Sequence, residues 1–204
     1  MGEVRWQMSE ALSVLRRDPE LRAVIKDVGP IELRARRPYF WLLASAIIAQ
    51  QVSGAAARTI NGRVRALYPG ERYPTPASIL ATSPQALRAA GASRQKARYL
   101  VALAEEFERG ALKGVRFSRL SDDEIIERLT AVVGIGRWTA EMFLVFSMRR
   151  RDVFPVDDLG IRKGMERLFG VSPVPAMIER AEVWRPYRTV ASLYIWGALS
   201  ALPT

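Results

Sequence analysis

A chain of 204 residues with 49% hydrophobic and 25% charged side chains suits a soluble globular protein, one domain or two small lobes sharing a core, and no apolar run reaches the roughly 18–20 residues that span a bilayer. Cysteine and histidine are both absent, which excludes disulfides, thiolate nucleophiles, cysteine-ligated clusters and imidazole catalysis, so any catalytic group comes from Asp, Glu, Lys, Tyr, Ser, Thr or the backbone. The formal net charge of +10 builds a field that attracts polyanions, nucleic acid above all; a coding bias toward arginine is the plainer alternative.

The first residues, Met1 to Trp6, lack the basic and apolar regions of a signal peptide, so the expected location is the cytoplasm, at the nucleoid. Residues 8–17 read as a helix with Leu12 and Leu15 on one side and Arg16 and Arg17 on the other. Asp18-Pro19 restarts the chain, and Pro19 suits the first position of a helix over 19–27 that Gly29-Pro30 ends. Residues 31–38 read as an extended or irregular link. From Tyr39 to Ala49 nearly every residue is apolar, the pattern of a helix buried all round. It breaks over Gln50–Gly54, and a helix follows from about Ala55 to Leu67. Thr75-Pro76 and Ser83-Pro84 each open a helix, the second ending at Gly91. Ser93 caps one running to Arg109, and Ser121-Asp-Asp-Glu124 is a capping box. One further helix lies between Pro155 and Pro173, and a last one runs from about Pro186 to Leu202. With no strand alternation, no heptads and no fixed repeat, the fold class is all-α and irregular.

The most specific segment is Leu129-Thr-Ala-Val-Val-Gly134-Ile135-Gly136-Arg137-Trp138-Thr139-Ala140. It reads as a helix ending at Val133, a Gly-Ile-Gly turn, and a second helix from about Arg137. Two glycines one residue apart allow a tight turn and a close backbone approach. The free N–H groups of the turn and of the next helix make an anion site into which a DNA phosphate would fit. Ile135 packs inward between the two helices. A Gly-x-Gly alone is more often a simple helix C-cap. Downstream stands Asp152-Val-Phe-Pro-Val-Asp157-Asp158-Leu-Gly-Ile-Arg162. Two acids before a helix are most often an N-cap. The path from Gly136 to Asp158, one helix and a proline loop, can also return the chain to the mouth of the hairpin.

Taken together, these strings resemble the HhH-GPD superfamily of DNA glycosylases, in particular its alkylpurine branch, the 3-methyladenine DNA glycosylase II type. Ala46-Ile-Ile-Ala-Gln-Gln-Val-Ser53, Ala90-Gly-Ala-Ser-Arg-Gln-Lys-Ala97 and Trp184-Arg-Pro-Tyr-Arg-Thr-Val-Ala191 match as well, so the resemblance covers about Phe40 to Leu199. It implies two helical lobes with a DNA-binding cleft. One lobe is roughly 36–150, with the hairpin at 125–147, and the other is 1–35 with 151–204. A minimal form without an extra N-terminal β-domain is implied.

The resemblance places the catalytic carboxylate on Asp158, with Asp157 as cap or scaffold. An ionised Asp158 would stabilise a developing oxocarbenium ion and could orient water, after the nucleotide has been flipped from the duplex. Alkylated purines are already cationic and leave readily, which suits a chain without histidine. Trp138, Trp196, Met142 and Tyr187 become the base pocket, the indoles attracting a cationic base by roughly 0.5–2 kcal/mol per contact; core packing is the plainer role for a helix tryptophan. Gln51 or Ser53 is the wedge that fills the vacated stack. Gly134, Gly136, Arg137 and Thr139 contact the DNA backbone. No cofactor is required, and a structural monovalent cation falls on the carbonyls of Thr130, Val132 and Ile135.

Relatives that also nick the strand carry a hairpin lysine that forms a Schiff base. Trp138 stands there, and the four lysines, Lys26, Lys96, Lys113 and Lys163, lie elsewhere, so the expected enzyme is monofunctional, without lyase activity. The expected partner is double-stranded DNA containing alkylated bases, with no membrane and a monomeric state. Two alternatives stay open: a glycosylase for uracil or an oxidised purine, and a non-catalytic DNA-binding module built on the same hairpin.

Overall fold

A computed structural model describes residues 8–31 and 38–201, and every regular element among them is helical. The leader reading at the N-terminus, most of the 31–38 link and the helix end at Leu202 lie outside the described residues. In chain order the helices are α1 (Met8–Leu15), α2 (Pro19–Val28), α3 (Tyr39–Ala49), α4 (Gly54–Ala66), α5 (Pro76–Leu80), α6 (Pro84–Ala89), α7 (Arg94–Glu108), α8 (Asp122–Thr130), α9 (Arg137–Phe143), α10 (Leu159–Phe169), α11 (Val174–Ala181) and α12 (Arg188–Ala201). None is long and apolar enough to cross a membrane. The chain divides into two compact units, residues 36–148 and residues 1–35 with 149–204.

In the 36–148 unit α3 is the hub. Its apolar circumference is used on several sides: Phe40, Trp41, Leu43, Ala44, Ile47 and Ile48 are all buried, and α4, α7 and α9 pack against it. Tyr39, Phe117 and Phe143 meet edge-to-face at 5.0–5.5 Å between centroids, the favourable geometry for aromatic quadrupoles. Five successive helices, α4 to α8, start on a side-chain cap: Ser53, Thr75, Ser83, Ser93 and Ser121. Each cap satisfies an amide that the helix itself cannot, typically worth about 1 kcal/mol.

In the other unit α12 is central, packed on α2 and α10. Its core includes Leu15, Leu21, Ile25, Ile161, Met165, Trp184, Val190, Tyr194 and Ile195. Gly164 makes the α10–α12 approach possible, because a Cβ there would overlap the side chain of Ile195. Asp18 joins three roles. Its Oδ1 caps α2 by accepting from the amides of Glu20 and Leu21, its Oδ2 accepts from buried Trp184 Nε1 at 2.7 Å, and Arg180 pairs with it at 2.6 Å.

Two sequence expectations shift. The first hairpin helix ends at Thr130 rather than Val133, because the chain tightens into turns that tuck Val132 inside and leave Val133 63% exposed. The region after Pro155 holds α11 as well as α10; this eight-residue helix with prolines in its first turn carries little periodicity.

Burial alone would raise the Asp18 pKa, but the hydrogen bonds from Trp184 and Arg180 outweigh it and hold the group below its ordinary value. A carboxyl depressed in the native state stabilises the fold above its unfolded pKa of about 4, and that contribution is lost as pH falls through the lower native value. Asp18→Asn keeps a capping oxygen but loses the charge. Its unfolding midpoint in urea should therefore fall less steeply with acidification below about pH 4 than that of the wild type, and parallel curves would contradict this.

Candidate functional site

The hairpin is built from α8, the turn 131–136 and α9. Gly134 has φ +91°, and a Cβ there would run into the ring of Tyr99, so both the backbone conformation and the space demand glycine. The Gly134 carbonyl accepts from Gln50 Nε2 at 2.9 Å, and the same amide group reaches Thr139 Oγ1 at 3.3 Å. Gln50, the residue after α3, thus fastens the α3–α4 turn to the hairpin. Gly136 sits at the N-cap of α9 in extended backbone and offers no side chain to cap it. After five helices capped by their own Ser or Thr, α9 leaves its first-turn backbone without one, which suits an external anion.

A cleft of about 420 Å³ opens in front of this turn, lined by Gln51, Gln95, Lys96, Tyr99, Gly134 and Gly136 among others. Lys96 Nζ donates to the Ile48 carbonyl at 2.7 Å, and burial pushes its pKa down. Gln51 is exposed and held at φ +54°, a left-handed conformation that costs a non-glycine residue energy. Ser53 is also exposed, with its hydroxyl accepting from Ala56 N–H as the α4 cap.

The cation that the hairpin resemblance implies can be tested against its carbonyls. Those of Thr130 and Ile135 accept no hydrogen bond among the described residues, and Val132's accepts one, from Ile135 N–H at 3.0 Å. Lone pairs therefore remain on an all-oxygen set, the ligand chemistry of a hard cation, and the residues fit it.

In the other unit the proline loop ends on Asp158. Its Oδ1 accepts from the Ile161 amide at 2.9 Å, capping α10, and from Trp196 Nε1 on α12 at 2.8 Å. Gly160 lets Asp158 and Trp196 come together over it, since a Cβ there would meet both Asp158 Oδ1 and the Trp196 ring. Asp157 takes no part in the cap: it faces solvent and pairs with Arg162 at 2.7 Å. Cap and candidate acid are thus the same residue, Asp158, which corrects the division of labour expected from sequence. Upstream the loop is tied to the start of α12. Arg188 grips the Asp152 carboxylate through Nε at 2.8 Å and a terminal nitrogen at 3.0 Å, and Thr189 Oγ1 donates to Arg150 O and accepts from Val153 N–H.

The structure thus gathers Gly134, Gly136 and Gln51 around one cleft, and Asp158 with Trp196 at one corner. Trp138 is half-buried and Met142 buried on α9. Tyr187 is buried, and its hydrogen bond to Glu10 pushes its pKa up, so the hydroxyl is committed inside its own unit. Thr139 is only 1% exposed, with its hydroxyl on Gln50; what it can offer an outside partner is its backbone. Arg137 pairs with Glu141 at 3.0 Å. Gln50, Tyr99, Asp152, Arg188 and Thr189 were missed as functional supports. Each lies in or beside a matched string, but their roles depend on partners far away in sequence.

Residues 44–188 match the family model described as "HhH-GPD superfamily base excision DNA repair protein". The chain is 35% identical over 187 residues to DNA-3-methyladenine glycosylase 1 of Schizosaccharomyces pombe, covering 88% of this chain and 82% of the relative. It is 38% identical over 163 residues to DNA-3-methyladenine glycosylase 2 of Escherichia coli, covering 74% and 54%. Among solved structures, the Schizosaccharomyces pombe 3-methyladenine DNA glycosylase in complex with abasic DNA superimposes with a TM-score of 0.84 at 34% identity, covering 95% of this chain and 97% of that one.

The close approach at Gly134 gives a double-mutant test. Gly134→Ala should lose about 2 kcal/mol or more in guanidinium unfolding, from positive φ and from the overlap with Tyr99. Adding Tyr99→Ala removes the overlap but not the φ cost, so the pair should be less destabilised than the sum of the two single changes. Additive losses would contradict the packing described.

Proposed function

This chain belongs to the HhH-GPD superfamily of base-excision DNA repair proteins, and from that premise we propose that it is a monofunctional DNA glycosylase acting on alkylated, cationic bases such as 3-methyladenine in double-stranded DNA. The observation that carries the reading is the Asp158 carboxylate, oriented by the α10 amide and by Trp196 Nε1 beside a glycine whose missing side chain allows that close approach.

The chemistry follows from charge. A base alkylated at a ring nitrogen is positive in the ground state and leaves as a neutral molecule, so the leaving group needs little help from an acid. Charge instead develops on the sugar as the glycosidic bond stretches. A fixed carboxylate stabilises that cation without reorganising, and its oxygens can orient the attacking water. The Trp196 N–H is bound to Asp158, which fixes the indole edge, and Trp138 is an indole of the other unit. Both would favour a cationic base over a neutral one.

On the DNA side, the Gly134–Gly136 turn holds a backbone phosphate without reading sequence. When bound, a monovalent cation on the Thr130, Val132 and Ile135 carbonyls supplies positive charge next to that phosphate. Gln51, projected from a strained turn that Gln50 fastens to the hairpin, fills the gap left by the flipped nucleotide. Trp138 occupies the place of a Schiff-base lysine, and Lys96 donates to a main-chain carbonyl, so base removal leaves an unbroken strand. Such an enzyme works where the chromosome is, at the nucleoid in the cytoplasm.

Incubation with a methylated duplex should release 3-methyladenine as free base and leave abasic sites in intact strands, with no product trapped by borohydride. Release of uracil or an oxidised purine in preference, or a borohydride-trapped adduct, would overturn the reading, and duplex binding with no base released would leave a DNA-binding module.

A further inference from the structure

Three guanidinium groups of the 36–148 unit stand together without a salt bridge among the described residues. Arg88 on α6 and Arg94 and Arg98, one turn apart on α7, line a groove of about 400 Å³ with Tyr99 and Val133. All three arginines are exposed, and none makes a salt bridge or side-chain hydrogen bond among the described residues. Several arginines elsewhere pair with acids, Arg109 with Glu105, Arg162 with Asp157, Arg180 with Asp18 and Arg188 with Asp152, while others such as Arg116 and Arg119 also stand without a carboxylate among the described residues but do not share a groove with these three. Glu105 also borders the groove, but its carboxylate is engaged by Arg109 at 3.0 Å.

Like charges at i and i+4 on a helix repel, and no acidic residue sits in the first turn of α7 to relieve them. The groove is also continuous with the hairpin. Tyr99, whose ring packs under Gly134, lines the hairpin cleft on one side and this groove on the other, and Val133 directly precedes the turn.

We propose that this groove is a second phosphate track, in which Arg88, Arg94 and Arg98 take the backbone of the duplex as it runs on from the Gly134–Gly136 turn. The inference rests on the reading of the chain as a DNA-binding glycosylase and extends its footprint along α6 and α7. A duplex fits better than an acidic protein surface, because a row of cations one helical turn apart, beside a turn that already suits a phosphate, matches a polymer with regularly spaced charge.

The test is binding of an undamaged duplex, followed by fluorescence anisotropy over a range of salt concentrations. The Arg94→Gln/Arg98→Gln variant should lose about 0.9 from the slope of log K against log salt for each phosphate contact removed, close to 1.8 for both, and bind all sequences more weakly. Arg116→Gln/Arg119→Gln, which removes equal charge from another exposed part of the same unit, should keep the wild-type slope. A wild-type slope in the first variant overturns the proposal and leaves an acidic protein as the alternative occupant; equal losses in both variants also overturn it, by reducing the effect to net charge. Base release from a methylated duplex by the same proteins judges the glycosylase reading separately. If the wild type releases no base while the slopes still separate, that reading falls and the phosphate track stands.

Discussion

The Asp158 carboxylate oxygen that receives both the Ile161 amide and the Trp196 indole is the constraint on which the rest of the account turns. It places an acid at the first turn of α10, ties that turn to α12, and fixes the rim of an indole that could receive a base. The cap expected at Asp157 is instead made by the candidate acid itself. Capping alone would be worth about 0.5–2 kcal/mol to the fold, and an asparagine or serine would serve nearly as well. Neither would supply the negative charge that an oxocarbenium ion needs. The surroundings are arranged to hold the acid in place: Arg188 and Thr189 at the start of α12 anchor the loop at Asp152 and Val153, and Gly160 lets Asp158 and Trp196 meet over it.

The hairpin depends on a comparable restriction in the other unit. Tyr99 fills the space where a Gly134 side chain would be, and Gln50 bonds the Gly134 carbonyl, so the turn is backed by α7 on one side and by the end of α3 on the other. Because Gln50 is adjacent to Gln51, the element that would grip DNA and the one that would enter it share a support. Positive φ at Gln51 is a local cost of the kind usually found where a side chain must project.

Much of the fold was legible because helix starts are written in local chemistry. Thr75, Ser83, Ser93 and Ser121 each cap the helix that the sequence assigned to them, and Pro19, Pro76 and Pro84 occupy first-turn positions. Ends were less legible: Val133 looks like a continuation of its helix, and only burial of Val132 explains why the helix stops at Thr130. α11 was hidden by its brevity. Among the candidate site residues, Asp158 and Gly134 stood out through their strings and Trp196 through the resemblance. Thr139 was expected to face DNA, but its side chain lies inside because Gln50, far upstream in the chain, calls for a partner there. The same long-range dependence explains why Asp152, Arg188 and Tyr99 went unassigned, whereas Asp157 was taken for the cap because two adjacent acids precede α10 and sequence does not say which of them turns to the Ile161 amide.

If Asp158 drives base loss, it does so through its negative charge rather than its capping bond. Asp158→Asn separates the two, since the amide oxygen can still accept from Ile161 and Trp196. Single-turnover release of 3-methyladenine at saturating enzyme should slow by about 10²-fold or more, while the thermal midpoint and duplex affinity stay near wild type. An Asp158→Asn enzyme that releases base at the wild-type rate would contradict the claim directly.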